Sequence, residues 1–167
     1  MNHIIGGWQI SGIAVATSGK PWNFTASNRF NHHIFGRDEP HVSKPIPFEL
    51  TKQNGRVFII PGTSADRTRI ATENFKNSHA GGPIARNQGR GPGFWNVDFA
   101  MTKNIALDEN RRLRFGWETF NLFNHPNFSI PTTENGYNID RLGGTLGELT
   151  STLGTERVMQ FSFRLEF

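Results

Sequence analysis

Along this chain the spacing of apolar residues alternates between strict period two and no period at all. The stretch RVMQFSFRLEF, Arg157 to Phe167, is the clearest case: Met159, Phe161, Phe163, Leu165 and Phe167 are apolar, and Gln160, Ser162, Arg164 and Glu166 between them are polar. This is the period of a half-buried β-strand. A free end ordinarily frays, so five large apolar groups in register there require a partner strand and something to cover their face. Three further stretches have strand character: Trp8 to Ser18 (WQISGIAVATS), Phe94 to Lys103 (FWNVDFAMTK) and Arg112 to Phe123 (RLRFGWETFNLF). In the second, Trp95, Val97, Phe99 and Met101 alternate with Asn96, Asp98, Ala100 and Thr102. In the third, Leu113, Phe115 and Trp117 oppose Arg114, Gly116 and Glu118, although WETFNLF also fits helical spacing.

These patterns predict four antiparallel strands, near 8–18, 94–103, 112–123 and 157–167, in sequential meander order. Soluble strands commonly run about 5–6 residues, whereas these are near the 10 or so that a tilted strand needs to cross a hydrocarbon layer. The connections are unequal. Asn104 to Arg111 is short and holds the turn residues Asp108, Glu109 and Asn110, while 19–93 and 124–156 are long and rich in Asn, Gly, Pro and Thr. Structureless connections of that length are uncommon in a compact soluble domain, and short turns at one end with long loops at the other are the habit of outer-membrane barrels. With the last strand ending on the periplasmic side, the Asp108 turn falls in the periplasm and both long loops fall outside the cell. Trp22, Phe94, Trp95 and Phe123 then lie toward the outer interface, and Trp8 and Phe167 toward the inner one. The fold class expected is all-β: an antiparallel meander belonging to a transmembrane β-barrel, with two long loops.

Composition supports a chain whose apolar content is concentrated in a few segments. Phe occurs 15 times against one Tyr, Gly 18 times, and apolar residues make up only 35%. The net charge of +4 comes from scattered Lys and Arg interleaved with acids, with one denser run from Arg86 to Arg90 and another at Arg111, Arg112 and Arg114. That dispersal fits solvated loops better than a nucleic-acid surface. Cysteine is absent, which excludes disulfides and thiolate chemistry. The first twenty residues lack the features of a signal peptide, and no stretch approaches the roughly 20 apolar residues of a spanning helix. The second fact does not bear on a barrel, whose strands bury only alternate residues, and the first leads to the expectation that the chain reaches the bacterial outer membrane only as part of a longer precursor.

Candidate chemistry is sparse. His32, His33, His41 and Asp38 are close enough in sequence to make a surface metal site conceivable, but plain loop polarity is the better account and no metal site is expected. GRGPGF lacks the Lys-Ser/Thr of a phosphate loop and fits a turn where a loop re-enters a sheet. Asn23 and Asn127 open glycosylation sequons, which carry no meaning in a bacterial outer membrane. Asp98, Arg114, Glu118 and Arg164 are the charged groups expected on the lumen side, set to form a cross-strand ladder or to contact a plug or a solute. No constellation suits catalysis, so neither an enzyme nor a cofactor is expected. A soluble β-domain that binds a glycan or protein through its long loops is the competing reading.

In order, GGWQISGIAVATSGKPW, RGPGFWNVDFAMTKNI, RLRFGWETFNLFNHPNF and LGELTSTLGTERVMQFSFRLEF resemble the C-terminal part of TonB-dependent outer-membrane receptors, and most of all their Oar-like branch, whose members carry a carboxypeptidase-regulatory-like domain, a plug and a barrel. The resemblance implies that Met159, Phe161, Phe163, Leu165 and Phe167 are the signal read by the barrel-assembly machinery. It further implies nutrient uptake across the outer membrane, with outer-membrane lipid, the remaining strands and the plug as partners, and with the TonB system engaged only through N-terminal parts outside this chain. Barrels of this kind use about 22 strands, and closure needs about eight at minimum, so four strands are expected to be a C-terminal piece that transports nothing alone.

Overall fold

The computed structural model describes residues 5–26, 41–76, 87–140 and 143–167. They form two compact units: one takes in the chain up to Thr17 with Phe94–Pro126 and Gly154–Phe167, the other Ser18–Gly93 with Asn127–Leu153.

The first unit is a four-stranded antiparallel sheet of β1 (Trp8–Thr17), β2 (Phe94–Ala106), β3 (Arg112–Phe120) and β4 (Val158–Glu166), adjacent in sequence order. It is all-β and open, with β1 and β4 as its two edges. The helical alternative for WETFNLF is lost because Trp117, Glu118, Thr119 and Phe120 pair with β4. β2 runs three residues past Lys103, since Asn104, Ile105 and Ala106 continue to pair with Arg114, Leu113 and Arg112. The turn that follows is held by Asp108, whose Oδ1 accepts from the backbone N–H groups of Asn110 at 3.0 Å and Arg111 at 2.7 Å. An aspartate that replaces backbone acceptors in this way is a standard turn former.

β3 stops at Phe120 rather than Phe123. Asn121 has φ of 52° and Asn124 of 51°, a left-handed conformation that Asn tolerates better than most residues and that ends a strand. Asn121 then acts as a clasp. Its side-chain amide donates to the carbonyls of His125 (3.2 Å) and Thr155 (3.0 Å), and its Oδ1 accepts from the His125 N–H at 2.9 Å. Asn124 Oδ1 accepts from the Arg157 N–H at 3.1 Å. Asn121 and Asn124 of FNLFNHPNF thereby tie the exit of β3 to the approach of β4.

The second unit shows that the two long connections are not structureless. Thr51–Gln53 and Arg56–Phe58 form a hairpin across Asn54-Gly55, both at positive φ, the turn chemistry that the twist of a two-residue hairpin demands. Helix α1 (Ser64–Glu73) opens with a reciprocal capping box between Thr63 and Asp66. The connections fold together: Glu148 and Leu149 of the second pair with Phe58 and Val57 of the first, and Thr25 bridges to Asn138. Their shared core is Trp22, Phe24, Ile59, Ile60, Phe75, Ile139, Leu146 and Leu149, all buried. Trp22, expected at a membrane interface, lies inside this core, its ring 4.3 Å from that of Phe24.

Candidate functional site

Directly paired residues of an antiparallel sheet point to the same face, so the register assigns the faces of the first unit. Phe161 pairs with Trp117, Phe163 with Phe115 and Leu165 with Leu113. Trp117 then pairs with Met101, and Met101 with Ile10. The large apolar residues of β2, β3 and β4 through the middle of the sheet therefore share one face with Trp8 and Ile10 of β1, whereas Ile13, Val15, Phe120 and Val158 fall on the other. Aromatic rings interlock across it: Phe99 with Trp117 at 5.5 Å, Trp117 with Phe161 at 6.3 Å, and Phe115 with Phe163 at 5.1 Å. This face is not a core. Phe161 is 60% exposed and Phe163 74%, with Ile10, Met159 and Leu165 also exposed. Phe167, next after β4, is 96% exposed.

The ends of this face carry aromatic residues that suit an interface. Trp8 stands opposite Lys103 at one end, and Trp95 opposite Ala16 at the other. From Trp95 to Lys103 the strand rises roughly 26 Å, or about 20 Å of height at a tilt of about 40°, most of the roughly 25 Å apolar band of an outer-membrane barrel. Trp95 is packed against Phe123 and stacked on His125 at 4.2 Å. Lys103 is the one cation on this face among the described strand residues. Its ammonium hydrogen-bonds the Gly6 carbonyl and sits 4.6 Å from the centre of the Trp8 ring, so its stem packs while its charge leaves the apolar band at the end. Gly7, at φ of 77°, permits the approach: a Cβ there would stand 2.4 Å from the Asn104 carbonyl oxygen.

Asp98, Arg114, Glu118 and Arg164 fall together on the opposite, polar face. They do not form a ladder, since no ion pair joins any two of them among the described residues. Asp98 has a local task, its Oδ1 accepting from the Asn121 N–H at 2.9 Å and from the Asn96 amide at 2.8 Å. Glu118 faces Gln160 and Ala100. Arg164 stands opposite Arg114 and reaches Glu166 on its own strand at 3.8 Å. Toward the Asp98 end this face carries a recess of about 330 Å³ lined by Ser11, Ile13, Asp98, Ala100, Glu118 and Phe120.

The second unit has a polar centre that the residue pattern does not announce. Arg67 on α1 is buried, its guanidinium donating to the carbonyls of Gly144 (2.7 Å) and Gly62 (2.6 Å) and to Gln53 Oε1 (2.5 Å), and lying 3.7 Å from the centre of the Phe58 ring. Burial pushes the Arg67 guanidinium below its ordinary range, and nearby Arg56 adds to the effect, while Asp66 and Glu148 oppose it. An arginine stays protonated even so. Arg56 in turn grips the buried Glu148 through two hydrogen bonds of 2.5 Å. These contacts join both long connections and make the centre structural. Of the residues weighed for a metal site, His32, His33 and Asp38 lie outside the described residues, as does Arg86 of the basic run.

No helix among the described residues is long and apolar enough to cross a membrane, which leaves crossing by strands untouched. No curated protein and no solved structure matches the chain. A family model described as an outer membrane beta barrel domain matches residues 1–160, a span that includes the whole of β1, β2 and β3 and the start of β4. The chain belongs to the outer membrane beta barrel domain family.

Proposed function

We propose that the four strands are a wall segment of a TonB-dependent outer-membrane transporter of the Oar-like branch, which takes up a large or scarce nutrient. One observation carries this reading: all four strands contribute large apolar residues, Ile10, Met101, Trp117 and Phe161 among them, to one face that is largely exposed, and the sheet leaves both edges unpaired. In a bilayer an unpaired strand edge is not tolerated. The reading therefore supplies further wall strands to β1 and β4, and lipid to the apolar face. The motifs RGPGF and FNLFNHPNF and the alternation ending at Phe167 support the transporter branch. The assembly machinery is the partner for Met159, Phe161, Phe163, Leu165 and Phe167. The polar face with Asp98, Arg114, Glu118 and Arg164 borders the lumen, the folded second unit takes part in ligand capture, and gating and energy coupling belong to a plug. The reading assigns no catalytic step and no cofactor.

An antibody against the second unit, applied to fractionated cells, tests this. The chain should be recovered from the outer membrane with a plug that binds TonB, whether on the same polypeptide or an associated one. Recovery from a soluble fraction, or from the outer membrane without any such plug, would overturn the transporter reading.

A further inference from the structure

The polar face of the sheet is electrically uneven. At the end near the Asp108 turn it carries Arg112, Arg114 and Arg164 against the single acid Glu166. Arg114 and Arg164 are directly opposed across β3 and β4, the arrangement in which like charges destabilise a sheet. Glu166 engages Arg164 only at 3.8 Å. It stands opposite Arg112 without an ion pair, and Arg114 has no acidic partner among the described residues. All three arginines are exposed. A single acid at either opposed position would have turned repulsion into a cross-strand ion pair.

From this we propose that Arg112, Arg114 and Arg164 form a docking row for a carboxylate-rich polypeptide segment lying along the polar face. Three features of the row choose the occupant. It is anionic, because the row sets three arginines against one acid, Glu166. It is not a lipid headgroup, because the row lies on the face opposite the exposed apolar one. It is a chain with several carboxylates rather than one small anion, because the guanidinium groups form a line: Arg114 and Arg164 have backbones about 5 Å apart, with Arg112 about 7 Å further along β3. Such a line does not converge on one point. Guanidinium forks bind carboxylates bidentately and specifically. The inference rests on the wall-segment reading only in taking this face as one that encloses other polypeptide.

The test uses the full chain folded in detergent micelles, with folding checked by heat-modifiable gel migration, and a fluorescent hexaglutamate peptide as the probe. Hexaglutamate should bind, hexalysine should not, and added salt should weaken the complex. Arg114→Gln and Arg164→Gln should each reduce affinity about tenfold, the effect of losing one charge-assisted contact. Arg111→Gln, which removes the arginine paired with Asp108 in the turn, should change nothing. Arg164→Glu should abolish binding and at the same time raise resistance to denaturant, because it places an acid opposite Arg114. A structural role for Arg164 would give the reverse sign on stability. Should Arg164→Gln fail to fold on its edge strand, Arg114→Gln on the inner strand decides alone. Equal hexaglutamate affinity in wild type and the Gln variants would overturn the proposal, as would inorganic phosphate binding as tightly as the peptide. A soluble location in cells would sink the transporter reading without touching these outcomes.

Discussion

The two units use the same aromatic residue in opposite ways. In the sheet, Phe161 and Phe163 are 60% and 74% exposed, and their rings meet only neighbours on their own face. In the second unit Phe24 is 0% exposed and packed against Trp22 and Phe75, and two guanidinium groups, of Arg67 and Arg56, lie 3.7 and 5.8 Å from the centre of the Phe58 ring. Polar residues invert to match. The second unit buries Arg67 and Glu148 in dense hydrogen bonding, whereas on the sheet most charges stand on the face away from the apolar one. A chain folded for water hides its apolar groups and satisfies the few polar ones it encloses. An apolar face left open over four strands is instead the surface of a protein whose solvent on that side is lipid.

The largest break in this comparison should come from deleting an enclosed ring. Phe24→Ala should destabilise the second unit by about 3–5 kcal/mol, the cost of a lost phenyl group and the cavity left behind. The check is limited proteolysis: cleavage should accelerate within Ser18–Gly93 and Asn127–Leu153, while the sheet keeps its heat-modifiable migration.

Next in size, the two faces of β4 should respond differently to one charge. Phe163→Arg should lower the folded fraction in lipid by about 2–4 kcal/mol, whereas Ser162→Arg on the polar face should do much less. In a full-length parent, deleting Phe167 should likewise lower the amount of folded barrel in the outer membrane, and Glu166→Gln should do little. Gel migration with and without heating measures each, and equal damage from Phe163→Arg and Ser162→Arg would sink the assignment of the apolar face to lipid.

Arg67→Met should cost the second unit about 1–3 kcal/mol, because the methionine fills the space but leaves the Gly62 and Gly144 carbonyls and Gln53 without their donor. Urea unfolding followed by Trp22 emission would show it. A neutral result would mean that the buried arginine is replaceable by packing alone.

The smallest effects belong to the start of α1. Thr63→Ala should cost about 0.5–2 kcal/mol, as for other N-cap losses. The same cap carries a pH signature. The Thr63 backbone N–H, then its hydroxyl, holds the Asp66 carboxyl below its ordinary value of 3.8. A carboxyl with a depressed folded pKa stabilises the unit above its unfolded value and stops doing so as pH falls through the lower folded one. In acid titration, wild type should therefore exceed Asp66→Asn in stability by a constant margin near neutrality, and that margin should shrink only as pH falls below about 4; a margin that changes near neutrality would contradict the capping role.

Much of the sheet was legible because alternation is a local signal. That Phe161, Trp117 and Met101 share a face follows once each strand must turn its apolar residues the same way, though the register that pairs them does not, and Asp108 marks its turn by its chemistry. The end of β3 was harder to see: Leu122 and Phe123 extend the apolar run, but Asn121 leaves the extended conformation to clasp His125 and Thr155. The second unit was hidden for a different reason. Asn54-Gly55 and the Thr63–Asp66 capping box were visible signals of a hairpin and a helix start, yet each lies in a short segment of low hydrophobicity. Nothing local indicated that Val57 and Phe58 would pair with Leu149 and Glu148.

By itself the sequence determined the period, the strand directions and the two unlike faces of the sheet, because the position of a side chain on a strand depends only on its own parity. Tertiary structure decided whatever depends on residues distant in the chain. It buried Trp22 in a core rather than leaving it at an interface, and it enclosed Arg67 among carbonyls drawn from both long connections. It also set Arg114 against Arg164, a pairing that depends on the register between two strands and that neither strand encodes alone.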